Sequence, residues 1–108
     1  MAQDFERYIQ RNVGTSAVTV HTSNSDDAII SIRCANTTTS TINIDVFIND
    51  GSNDYYLIKN APIVSGGSLE LIDGGSKIVM HNNDILKAKS DTASSLDVWA
   101  SFVDAIST

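Results

Sequence analysis

The sequence predicts an all-β chain: a single antiparallel β-sandwich, jelly-roll-like, with about eight strands. Three observations lead there. β-Branched residues dominate, with thirteen isoleucines against five leucines, beside eight valines and nine threonines. Such side chains are stiff at χ1 and suit a pleated surface better than a helix. Helix-favouring glutamate occurs only twice, whereas Ser, Thr and Asn together supply 32 residues whose short polar side chains satisfy turns through local hydrogen bonds. Finally, turn signals recur about every ten residues, the spacing of a sandwich or barrel.

The segments between those signals are taken in order. Residues 12–22 run into the polar cluster Ser23-Asn24-Ser25-Asp26-Asp27, and residues 28–35 end at Asn36-Thr37-Thr38-Thr39-Ser40. Residues 41–48 alternate cleanly, with Ile42, Ile44, Val46 and Ile48 on one face and Asn43, Asp45 and Phe47 on the other. Asn49-Asp50-Gly51-Ser52 is a hairpin signal, because Asp-Gly readily takes positive φ. Residues 54–59 lead to a loop expected to hold Pro62 and Gly66-Gly67, residues 68–72 to a turn at Asp73-Gly74-Gly75. Residues 77–80, 84–89 and 96–103 complete the set, separated by His81-Asn82-Asn83 and by residues 90–95. The expected core is Ile30, Ile32, Ile42, Ile44, Val46, Leu69, Leu71, Ile78, Leu86, Val98 and Ala100. Residues 1–11 form no clear strand pattern; Phe5, Tyr8 and Ile9 at i, i+3, i+4 fit an arm or short helical turn that docks on its own domain or a neighbour. The organisation is therefore an N-terminal arm (residues 1–11) and one β-sandwich domain (residues 12–108).

Charge and cysteine usage narrow the function. A net charge of −6 argues against nucleic acid as partner, since holding phosphates needs a basic face. The longest apolar runs are strand-sized, far below the roughly 18–20 residues that cross a bilayer, so no membrane contact is expected. The start lacks the basic-then-apolar layout of a signal peptide. The single Cys34 excludes an internal disulfide, and its apolar surroundings read as core. His21 and His81 are the only histidine bases, and no Gly-x-Ser-x-Gly elbow accompanies them. One cysteine and two separated histidines do not make a zinc pattern, and the Asx-rich hairpin at residues 49–54 lacks the order of a calcium loop. The two Gly-rich turns are not phosphate loops. The expectation is no enzyme, no catalytic residue, no metal and no cofactor.

Surface aromatics point elsewhere. In residues 96–103, Leu96, Val98, Ala100 and Phe102 share a face, which sends Trp99 to the other side, as Phe47 is sent in residues 41–48. Exposed large aromatics on a small domain mark contact surfaces. Phe5, Tyr8, Ile9, Phe47 and Trp99 are therefore the expected interface residues, in a homo-oligomer or against other subunits.

Several stretches carry a resemblance in order. They are Asn12-Val-Gly-Thr-Ser, Ile30-Ser-Ile-Arg-Cys-Ala-Asn-Thr-Thr-Thr-Ser, Asp54-Tyr-Tyr-Leu-Ile-Lys-Asn-Ala-Pro-Ile, Gly67-Ser-Leu-Glu-Leu, Lys77-Ile-Val-Met, Asp84-Ile-Leu-Lys-Ala-Lys-Ser and Ser95-Leu-Asp-Val. Over residues 7–104 the chain resembles a family of small virion structural proteins of tailed phages, cyanophages among them. It departs at Ser23–Asp27, where the family has a Pro/Gly-rich stretch, and at Asn83-Asp84, where the family has Gly-Asp. Asn tolerates the left-handed conformation, so that turn is expected to survive. The resemblance implies a virion location and a role in capsid decoration or in a neck or tail accessory position, with capsid, neck or tail proteins as partners and no catalytic residues. A carbohydrate- or receptor-binding module on the virion is the alternative, with Trp99 and Tyr55 or Tyr56 as stacking platforms.

Overall fold

Period-two alternation along nearly every segment closes the chain into two antiparallel sheets. The computed structural model describes residues 4–72 and 77–104. Among them are nine strands: β1 (Asp4–Val13), β2 (Val18–Thr22), β3 (Asp27–Asn36), β4 (Ile42–Asn49), β5 (Asp54–Ile63), β6 (Ser68–Glu70), β7 (Ile78–Met80), β8 (Ile85–Ser90) and β9 (Leu96–Asp104). One sheet runs β1-β9-β3, with β6 and β7 both pairing the far side of β3; the other runs β2-β8-β4-β5. Taking β6 and β7 as one interrupted strand gives two four-stranded sheets whose connections pass repeatedly from one to the other, the jelly-roll arrangement.

The inward rows of both sheets form one core. Ile29, Ile32, Cys34, Ile42, Ile44, Val46, Met80, Leu86, Leu96, Val98, Ala100 and Phe102 are all essentially sealed from solvent. Leu69, Leu71 and Ile78 pack against this core while only partly buried. Ile30 is a correction. The pairing of β3 with β9 slips between Ile29 and Ser31, so one extra residue enters β3 there. A one-residue slip exchanges the faces; Ile29 takes the core position and Ile30 emerges on the outer face beside Phe5, Arg7 and Ser101.

Other expectations shift as well. Residues 4–13 dock on their own domain, but as a strand and not as an arm or a helical turn. They form β1, which pairs β9 in unbroken register from Asp4 opposite Asp104 to Gln10 opposite Val98. Pro62 lies in a strand and not in a loop: β5 continues to Ile63, with Pro62 opposite Asn43. β5 is a sheet edge, where a missing N–H removes no ladder bond. The Asp50-Gly51 turn forms as expected, with Gly51 at φ 104 and the Asp50 amide donating to the Asn53 carbonyl at 3.1 Å. Asn83 takes φ 74, the left-handed conformation expected of that turn. The turn expected at residues 73–75 lies outside the described residues.

Candidate functional site

The outer face of the β1-β9-β3 sheet holds the candidate site. Register places Ile9 opposite Trp99 on one side and Arg33 opposite Trp99 on the other, so the three side chains lie in one row across three strands. Two residues along β1 from Ile9, the Arg7 guanidinium sits over the Trp99 ring, 5.0 Å from its centroid. Ile9, Arg11, Arg33, Ala35, Asp97 and Trp99 are among the residues that line an open groove of about 530 Å³ on this face. Phe5, opposite Val103 at the end of β1, is 81% exposed, and Trp99 is 50% exposed. A large aromatic half out of the protein, an exposed aliphatic residue and three arginines thus share a surface in a chain of net charge −6.

The polar groups around this groove are already engaged. Asp97 Oδ1 accepts the Asn12 backbone N–H at 3.0 Å, and the Gln10 side-chain amide donates to the Thr19 carbonyl at 2.8 Å. Glu70 lies 3.8 Å from the Arg33 guanidinium and accepts the Ile32 N–H at 2.9 Å and the Ser31 hydroxyl at 2.8 Å. The groove therefore offers apolar wall and arginine N–H groups.

Of the five interface residues expected from sequence, Phe5, Ile9 and Trp99 share this face. Tyr8 and Phe47 do not. Tyr8 turns inward from β1, stacks on His21 with ring centroids 3.7 Å apart, meets Phe102 edge-on at 5.3 Å and donates its hydroxyl to Glu6. Phe47 does leave the core, yet only 5% of it is exposed. Tyr56 from β5 covers it at 5.0 Å between centroids, and Lys59 Nζ caps Tyr56 at 4.2 Å. Two register slips between β4 and β5, around Val46, bring these residues into contact. Asp45 beside them accepts the Asn60 N–H at 2.8 Å, at a residue with φ 55, so the bulge is held by a side chain.

The arginines were missed by sequence reading. Their signal is the alternation Phe5, Arg7, Ile9, Arg11, which was masked because Phe5, Tyr8 and Ile9 also fit a helical spacing. Only pairing with β9 separates the two templates.

The residues with chemical potential are placed structurally. Cys34 is sealed in the core, and desolvation, with Glu70 nearby, pushes its thiol up to about 12, far from a reactive thiolate. His21 Nε2 lies 3.0 Å from buried Asp27 Oδ2, and the Ser23 hydroxyl donates to that same oxygen at 2.8 Å. A nucleophile must instead give its proton to the imidazole. Ser25 bridges Asp27 (3.2 Å) and Asp104 (3.1 Å). The cluster ties β2, β3 and β9 together. His81 Nδ1 is 2.8 Å from Asp26 at the surface, which raises the imidazole pKa above its ordinary value. In the Asx-rich hairpin, Asp50 Oδ1 accepts the Ser52 and Asn53 N–H groups and Asn49 donates to Asp54, so these oxygens hold the turn.

No family model matches this sequence, and no curated protein matches it. Solved structures do. The chain is similar to a chain in the acid-stable capsid of Helicobacter pylori bacteriophage KHP30 at 10% identity and TM-score 0.60, over 95% of this chain and 87% of that one. It is similar to a subunit of the disulfide-linked pili that form Bacillus endospore appendages, at 15% identity and TM-score 0.55, over 98% and 88%. A pentameric capsid protein from metagenomic phage sequences matches at 13% identity and TM-score 0.53, over 94% of this chain and 63% of its own. Identities this low establish the shared sandwich fold, which phage and virus capsid proteins are among those to use.

Proposed function

We propose that this chain is a structural subunit of a phage virion, in capsid decoration or as a head–tail accessory of the neck or tail, acting through protein–protein contacts and catalysing nothing. The observation that carries this reading is the half-exposed Trp99, set beside exposed Phe5 and Ile9 and three arginines on one sheet face, whereas Phe47 on the other sheet is covered from within. Aromatic and arginine side chains are the residues over-represented at the centres of protein interfaces. The likeness to capsid chains, and the resemblance to small virion proteins of tailed phages, support the same reading. The carbohydrate-binding alternative has less support: Arg7 lies against the Trp99 ring, and Asp97 and Gln10 already hold backbone groups.

The test is quantitative mass spectrometry of purified particles. A decoration protein appears in on the order of hundreds of copies, a neck ring in about a dozen or fewer, as closed symmetry requires. A particle fraction without the chain overturns the proposal, and glycan binding by the isolated chain in its place favours the alternative.

A further inference from the structure

The chain's positive charges are sorted by type. All three arginines, Arg7, Arg11 and Arg33, lie on the Trp99 face. The lysines lie elsewhere: Lys59 on β5, Lys87 and Lys89 on β8, and Lys77 just before β7. Arginine is more weakly hydrated than lysine, grips carboxylates with two N–H groups and stacks on aromatic rings, so it suits an interface while lysine suits solvent. An arginine-rimmed groove with an apolar floor calls for an acidic occupant with apolar or aromatic surface.

This chain carries one. From Asp50 to Tyr56 every residue is exposed, the segment holds Asp50 and Asp54 and no cation, and it ends in Tyr55, 56% exposed, and Tyr56. The tip is rigid before any contact is made. Asp50 accepts two backbone N–H groups, Asn49 Oδ1 accepts the Gly51 N–H at 2.8 Å, and the Asn49 amide donates to Asp54 at 2.7 Å. A preorganised tip loses little entropy on docking. Its N–H bonds also hold the Asp50 carboxyl below the ordinary carboxylate range, so it stays charged.

We propose that the Trp99 groove receives the β4–β5 hairpin of a second copy of this chain, with Asp50 and Asp54 against the arginines and Tyr55 against the apolar floor. This rests on the reading of the chain as a structural subunit and names its partner. Groove and hairpin are different surfaces, so the contact is heterologous: each joined pair keeps one free groove and one free hairpin, and the assembly grows into a ring or an open row. The arginine–carboxylate rim makes association salt-dependent.

Sedimentation velocity of the purified chain across concentration and salt tests it. The wild type should associate as concentration rises and dissociate as salt rises. Arg11→Glu with Arg33→Glu reverses the groove; Ser52→Lys with Asp54→Lys reverses the hairpin while leaving Asp50 to hold the turn. Each pair should weaken self-association about ten-fold or more, with folding checked by circular dichroism. An equimolar mixture of the two should associate again, because each reversed surface meets its complement. A wild type that stays monomeric throughout, hairpin reversal without effect, or a mixture of folded variants that does not associate overturns the proposal. A monomeric chain that is nonetheless abundant in particles overturns self-docking alone, whereas its absence from particles overturns the structural-subunit reading.

Discussion

Phe47 on β4 and Trp99 on β9 occupy equivalent places. Each is a large aromatic that the strand alternation turns away from the core, near the middle of the outer face of its sheet. Their fates differ by an order of magnitude: Phe47 is 5% exposed and Trp99 50%. The cause lies on the neighbouring strand. β5 delivers Tyr56 over Phe47 and Lys59 over Tyr56, a stack that closes that face on itself. β1 delivers Ile9 and two arginines beside Trp99, which extend the apolar surface and ring it with charge. One sheet face completes the fold, and the other is left to be completed by something else.

The comparison predicts that stability and assembly separate between the faces. The largest stability loss belongs to neither: Phe102→Ala, in the shared core, should cost about 3–5 kcal/mol in chemical denaturation. Ile44→Ala, also sealed, should cost about 2–4 kcal/mol. Phe47→Ala should follow at about 2–3 kcal/mol, yet weaken self-association of the folded protein less than Trp99→Ala does. Trp99→Ala should cost less than about 1 kcal/mol of stability, being half exposed, and weaken association several-fold. If Phe47→Ala impairs association more than Trp99→Ala does, the two faces have been assigned the wrong way round.

The smallest expected effect is electrostatic. The Asp26 carboxylate raises the His81 pKa, so the ion pair stabilises the fold below about pH 6.5 and the contribution fades as pH rises through the raised value. The His81 imidazole is largely exposed, which keeps the effect small. A histidine NMR titration should show His81 releasing its proton at higher pH than free histidine, and Asp26→Asn should bring it back down. An unchanged midpoint in that variant would remove Asp26 as the cause.

Much of the fold was legible because the alternation is nearly unbroken. Ile42, Ile44 and Val46 face the core as their period requires, and the Asp50-Gly51 and Asn83 turns sit where positive φ was expected. The misreadings fall where register slips or where two periodicities coincide. The extra residue near Ile30 exchanges it with Ile29, and nothing in Ala28-Ile29-Ile30-Ser31 marks which isoleucine is surplus. Pro62 reads as a loop signal unless the strand is known to be an edge. Phe5, Tyr8 and Ile9 fit helix and strand alike, so Tyr8 was grouped with residues that the strand sends to the opposite face. The arginine rim depends on β1, β9 and β3 being adjacent, and burial of Phe47 depends on Tyr56 lying opposite it. Both are long-range pairings that local pattern does not contain.

Hydroxyl-radical footprinting read by mass spectrometry, on the free chain and on intact particles, tests the central claim most directly. Trp99 is the only tryptophan, so its oxidation reports on this face without ambiguity. Trp99 should oxidise readily in the free chain and be protected in the particle, while Phe47 is protected in both. Equal oxidation of Trp99 in the two states, in particles that contain the chain, would contradict the assignment of this face to assembly.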